Sequence, residues 1–249
     1  MRVPWCLLLL PLCANAAEHE HDHAAMAAMN DTMPADAPAQ DMAMRDHGGT
    51  TDSLLLVERF ERQQRSGEDA WQWQADYWYG GDLDKFWLKT EGSWLDRQHK
   101  VDDSDSQLLY SHAIAPFWDL QTGMRYSEAG GAAHTWAALG VQGLAPYWFH
   151  VDAALFAGDD GLWQGRVETS YELRLTQQWI LEPRVQLRYA FNDDMAGTLR
   201  QGFYDSNLGL RLRYEIVREF APYLGVEHDV GGQHQSGETR WVVGLRLWY

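Results

Sequence analysis

Between Trp241 and Tyr249 the odd positions Trp241, Val243, Leu245, Leu247 and Tyr249 are all large and apolar, while Arg240, Gly244 and Arg246 occupy even ones. A period of two marks a strand whose two faces meet different surroundings. The same alternation sets Leu208, Leu210, Leu212 and Tyr214 against Asn207, Arg211, Arg213 and Glu215, and Val185, Leu187, Tyr189 and Phe191 against Arg184, Gln186 and Arg188. It recurs with Val167, Tyr171, Leu173 and Leu175 opposite Arg166, Glu168, Glu172 and Arg174. One face suits hydrocarbon; the other suits water or paired charge. A soluble sandwich or lipocalin-like barrel also alternates, but its apolar face points inward, and this density of Arg and Glu would then coat an outside with no second core to meet.

Twelve such segments are predicted, near 54–63, 70–79, 84–95, 105–114, 117–127, 133–144, 147–157, 163–175, 178–191, 206–217, 220–230 and 239–249. Each is long enough for a tilted bilayer crossing, which takes about 9–11 residues, and an even count is what single-chain bacterial barrels use. The predicted fold is therefore all-β, a transmembrane antiparallel β-barrel of about 12 strands. Pro183 is placed near a strand start, where a missing N–H is best tolerated. Short connections at Ala115-Pro116-Phe117-Trp118, Ala145-Pro146-Tyr147-Trp148, Thr176-Gln177-Gln178 and Glu219-Phe220-Ala221-Pro222-Tyr223 are expected to alternate with longer ones at 96–104, 128–132, 158–162, 192–205 and 231–238. Three of the short set carry Ala-Pro-aromatic, read as a rigid turn with a ring at one membrane level. Trp71, Trp73, Tyr77, Tyr79, Trp118, Trp148 and Trp179, near strand ends, fit interfacial girdles.

The N-terminus changes the picture. Arg2, the apolar run Trp5 to Leu12 and then Ala14-Asn15-Ala16 have the form of a secretory signal, residues 1–16, with cleavage after Ala16 or Ala14. Cys6 and Cys13 both fall inside it, so any metal site must use nitrogen, oxygen or thioether donors. Beyond the signal no run of about 18 apolar residues exists to form a membrane helix. The formal charge of −16 argues against nucleic acid and favours cations.

Residues 17–52 are too poor in bulk to offset ordering entropy and are expected to be a disordered periplasmic tail, with residues 53–249 forming the barrel. The tail holds eight carboxylates and one arginine, a local charge of −7. Its candidate ligands are His19, His21, His23, His47, Met26, Met29, Met33, Met42 and Met44. Imidazole suits Cu, Zn and Ni while thioether selects Cu(I), so the set can hold copper as Cu(I) or Cu(II). If cleavage follows Ala16, the amine of Ala17, two amide nitrogens and the imidazole of His19 can also wrap Cu(II) in a square plane.

At "LLYSHAIAPFWDLQTG", "TWAALGVQGLAPYWFHVDAALFAG" and "LGLRLRYEIVREFAPYLGVE" the chain resembles the copper resistance protein B (CopB/PcoB) family of Gram-negative outer-membrane proteins. The likeness covers essentially all of 53–249, with the His/Met-rich leader a looser marker. It implies a copper-binding outer-membrane barrel, surrounded by outer-membrane lipid and produced with a periplasmic multicopper oxidase for metal tolerance. Within the barrel, alternation puts His134, His150 and Asp152 on the lumen face as candidate internal ligands, although a hydrogen-bonded structural role is the commoner one for such histidines. The lumen also collects Asp76, Lys89, Glu91, Arg125, Arg166, Glu168, Glu172, Arg184, Arg188, Arg211, Arg213, Glu215, Arg240 and Arg246, charges expected to pair across a narrow bore that is either nearly closed or open to small ions.

Enzymatic activity is not expected: Ser111 and His112 are adjacent and so point to opposite faces of a strand, and neither a Gly-x-Ser-x-Gly elbow nor His-Glu-x-x-His occurs. The reading is an outer-membrane copper protein that binds, sequesters or transports the ion; the alternative is a general porin or adhesion barrel with an incidental tail.

Overall fold

A computed structural model describes residues 51–64, 69–96, 100–129, 131–158, 161–193, 200–230 and 237–249. The expected signal and the tail ligands Ala17 to His47 lie outside the described residues, as do His99 and His234. The strands are β1 (Asp52–Gln64), β2 (Ala70–Gly80), β3 (Asp84–Leu95), β4 (Lys100–Ala115), β5 (Trp118–Ala129), β6 (Ala132–Ala145), β7 (Phe149–Gly158), β8 (Trp163–Ser170), β9 (Leu173–Arg174), β10 (Trp179–Ala190), β11 (Gly202–Tyr214), β12 (Phe220–Asp229) and β13 (Thr239–Trp248). Each pairs antiparallel with its chain neighbour, and β13 returns to β1 from Leu56 opposite Trp248 to Gln64 opposite Trp241. Leu55 and Tyr249 complete the ring by exchanging N–H···O bonds of 2.8 Å in both directions. Closure leaves no open edge, as a lipid-embedded sheet requires.

Because β8 and β9 both pair with β10, the thirteen segments make twelve positions around the wall. The twelve-strand expectation is met, with one interruption that has a chemical cause. Between Ser170 opposite Arg184 and Leu173 opposite Leu181, Tyr171 faces Pro183. Tyr171 N–H reaches Pro183 O at 3.1 Å, but proline has no N–H to return the bond, and the strand expected over 163–175 breaks there. Pro183 sits inside β10, not at its start.

Both β1 and β13 have their outer ends at what we call the near end, with the connections 81–83, 116–117, 146–148, 175–178 and 215–219; the far end carries the rest. Near-end connections run from two to five residues, whereas far-end ones reach eleven at 191–201. The 96–104 and 128–132 loops are shorter than expected, because β4 starts at Lys100 and the β5–β6 hairpin keeps only residues 130–131. At the two Ala-Pro-aromatic turns, Phe117 (φ 68°) and Tyr147 (φ 67°) adopt left-handed backbone, which costs roughly 1–3 kcal/mol for a side-chain-bearing residue. Both rings are well exposed at the near rim. The third copy differs: Ala221-Pro222-Tyr223 lies within β12, and Tyr223 is buried inside the barrel, not in the girdle.

Burial is inverted relative to a soluble protein. Mid-strand Leu108 (61% exposed), Met124 (61%) and Val243 (59%) lie on the outer wall, while Glu61 and Glu227 are fully buried inside. An apolar exterior around a charged interior is the construction of an outer-membrane barrel.

Candidate functional site

The inner wall is set by strand parity, with one exception that alters its chemistry. A bulge in β1 between Val57 and Arg59 shifts the pairing with β2. Consecutive Glu58 and Arg59 both turn to the lumen as a result, and Glu61 and Gln63 follow on the same face. Strict alternation cannot place all four, which is why sequence reasoning missed them.

A cavity of about 710 Å³ opens at the near end. Its mouth is lined by near-end residues including Asp82, Leu83, Phe117, Asp119, His150 and Arg246, and its floor by Glu91, Asp105, Arg166 and Arg211; no far-end connection contributes among the described residues. Among the described residues the cavity opens at the near end. Along its wall Lys89 Nζ donates to Asp152 at 2.6 Å, Gln142 at 2.9 Å and Gln121 at 3.0 Å. Arg184 pairs with Glu168 at 2.5 Å and donates to Gln74 at 3.1 Å. Glu58 and Asp76 face the same space and make no ion pair among the described residues.

Deeper, two groups fill the barrel. On one side Leu109, Trp136, Ala138, Phe156 and Leu162 form a small apolar core, capped by Arg125, whose guanidinium lies 4.3 Å from the Phe156 ring centre and pairs with Asp105 at 2.5 Å. Opposite it, Arg211 donates to Glu61 at 3.0 and 3.2 Å and also to Glu227; Tyr223 donates to Glu61 at 2.8 Å, and Arg240 pairs with Asp229 at 2.7 Å. Gly225 and Gly244 leave the room these side chains occupy: a Cβ on Gly244 would lie 2.6 Å from both Glu61 Cβ and Tyr223 Oη. Buried charges are tolerable here only because they are paired and hydrogen-bonded.

The candidate lumen ligands do not converge. His134 stands toward the far end with its ring 5.9 Å from that of Trp136, whereas His150 stands at the near mouth opposite Leu144. Ten residues of β6 separate His134 from Leu144, roughly 33 Å at strand rise. No single ion spans that. Asp152 is engaged by Lys89 and, at 3.7 Å, by Arg166. Among the described residues no group of three or more His, Cys, Asp or Glu is placed to hold a metal.

Ser111 is buried inside while His112 is exposed outside, as their adjacency predicts. On that outer wall His112 Nδ1 lies 2.7 Å from Asp84 Oδ1, which also accepts from Tyr110 at 2.5 Å. His228 Nδ1 meets Thr239 Oγ1 at 2.9 Å. Neither histidine faces the cavity.

Three comparisons bear on this architecture. The chain is 38% identical over 213 residues to copper resistance protein B of Escherichia coli, covering 82% of this chain and 71% of that one. It is 36% identical over 214 residues to a copper resistance protein B homolog of Pseudomonas syringae pv. tomato, covering 82% and 72%. Among solved structures the NanC porin superposes with a TM-score of 0.53 over 78% of this chain and 98% of that one, at 13% identity, a likeness of fold alone. Residues 51–249, the whole of the barrel, match the family model described as copper resistance protein B precursor, and the chain belongs to that family.

Proposed function

We propose that this copper-resistance barrel takes copper ions from the periplasm, the compartment facing its near end, with the stretch before β1 as the capturing arm. The family match over residues 51–249, joined to a leader of four histidines and five methionines, carries this reading. Copper is the cargo in this reading, and the donors suited to it are those of Ala17, His19, His21, His23, Met26, Met29, Met33, Met42, Met44 and His47. Covalent connection puts the end of that stretch at Asp52, at the same rim as the cavity mouth. Glu58 and Asp76, which make no ion pair among the described residues, face the cavity, and His150 at its mouth adds one imidazole. Capture proceeds by coordination and mass action, with no bond made or broken in the protein. A periplasmic multicopper oxidase is the partner this role calls for.

Copper titration against a competing chelator, using the purified chain with and without residues 17–50, tests the arm. A large loss of uptake on truncation is expected; equal, weak uptake by both forms supports instead a general porin or adhesion barrel. Replacing the five tail methionines with leucine lowers Cu(I) affinity far more than Cu(II) affinity, because thioether sulfur selects the softer ion.

A further inference from the structure

One carboxylate on the cavity floor is held from across the bore. Glu91 projects from β3, the third position around the wall, and accepts from Arg188 Nη2 at 2.5 Å and Arg166 Nη1 at 3.3 Å. Counting β8 and β9 as one position, Arg188 on β10 occupies the ninth of twelve, diametrically opposite, and Arg166 on β8 the eighth. Most ion pairs in this barrel join positions only a few strands apart, whereas these two run across the bore at the cavity floor.

We infer that the Glu91–Arg166–Arg188 bridge is a gate: a single carboxylate holds two arginines of the opposite wall across the part of the bore left between the apolar core and the Arg211–Glu61 cluster, and losing it opens the barrel to small ions. Two features distinguish this bridge from ordinary filling. First, polar residues lie on both sides of it. The cavity reaches Glu91 from the near end, and toward the far end buried Ser93 and exposed Asp103, joined by a hydrogen bond, continue a polar face beside the apolar core formed by Trp136 and Phe156. Second, each arginine already has another acid on its own side of the bore. Arg166 lies 3.7 Å from Asp152 on adjacent β7, and Arg188 lies 3.4 Å from Asp205 on adjacent β11. With Glu91 replaced by glutamine, both arginines keep an acid on their own side of the bore and no buried carboxylate is stranded.

The test is unitary conductance of the full chain in planar bilayers. Wild type is expected to conduct weakly and Glu91→Gln several-fold more, both running as folded barrels by heat-modifiable gel migration. Equal conductance in the two folded proteins overturns the gate, as does a wild type already as conductive as the variant. Should Glu91→Gln not fold, the Arg166→Gln/Arg188→Gln double variant removes the same bridge from the other wall and is read by the same criterion. Copper is absent from these recordings, so their outcome is separate from that of the capture arm.

Discussion

Arg211 offers the sharpest test of how the interior is held. Replacing it with methionine keeps most of the volume and removes the charge. Glu61, fully buried, then loses the only cation within ion-pair distance of it among the described residues and keeps neutral donors from Tyr223 (2.8 Å) and Gln63 (3.1 Å). Glu227 is better protected, since Arg59 at 3.5 Å and Arg240 at 4.0 Å remain. Breaking a buried pair from one side costs about 3–5 kcal/mol, and because one of the two acids keeps its cations the expected loss is near the lower figure, about 3 kcal/mol. Adding Glu61→Gln removes the stranded charge, so the double variant should recover roughly 1–2 kcal/mol of that, within the coupling range for residues in direct contact. Urea unfolding from lipid vesicles, followed by tryptophan emission, measures both. If Arg211→Met shifts stability by less than about 1 kcal/mol, or if Glu61→Gln deepens the loss, the interior is not organised around this pair.

Three other perturbations probe different layers. Leu108→Arg puts a charge at mid-strand on the outer wall and should cost about 2–4 kcal/mol in the same vesicle assay, while a change near zero would mean that Leu108 does not face lipid. Gly244→Val drives side-chain atoms into Glu61 and Tyr223; overpacking of this kind costs about 1–3 kcal/mol, and full stability in this variant would show that the two can move aside. Pro183→Ala restores an N–H opposite Tyr171 and should slow amide exchange across residues 171–173, an effect absent if something other than the missing donor breaks the strand.

The ring of strands was legible because lipid on one side and paired charge on the other enforce a strict period of two. Legibility failed where one of those surroundings changes. The first residues of β4, Lys100-Val101-Asp102-Asp103, are largely polar on both faces, so the strand's start carries no alternation and was read as loop. The β1 bulge breaks parity from within, hiding Glu58, Arg59 and Glu61 from the lumen set. Tyr223 was read as a girdle ring because its Ala-Pro context matched the two turns, although its parity in β12 aims it at Glu61. For His134 and His150, parity gives no height along the axis, and height keeps them apart. The bridge from Glu91 to Arg188 lies further still from sequence reasoning, since its partners meet only when the sheet has closed through half a circumference.

That Tyr249 is bonded to Leu55 has a consequence for biogenesis. The molecule is a clasp whose catch is β13 on β1, so the sheet has two unsatisfied borders until both strands have been delivered. Whatever machinery inserts it must shelter both borders at once, and deleting the pairing residues of β13 should arrest assembly with the hoop unfastened.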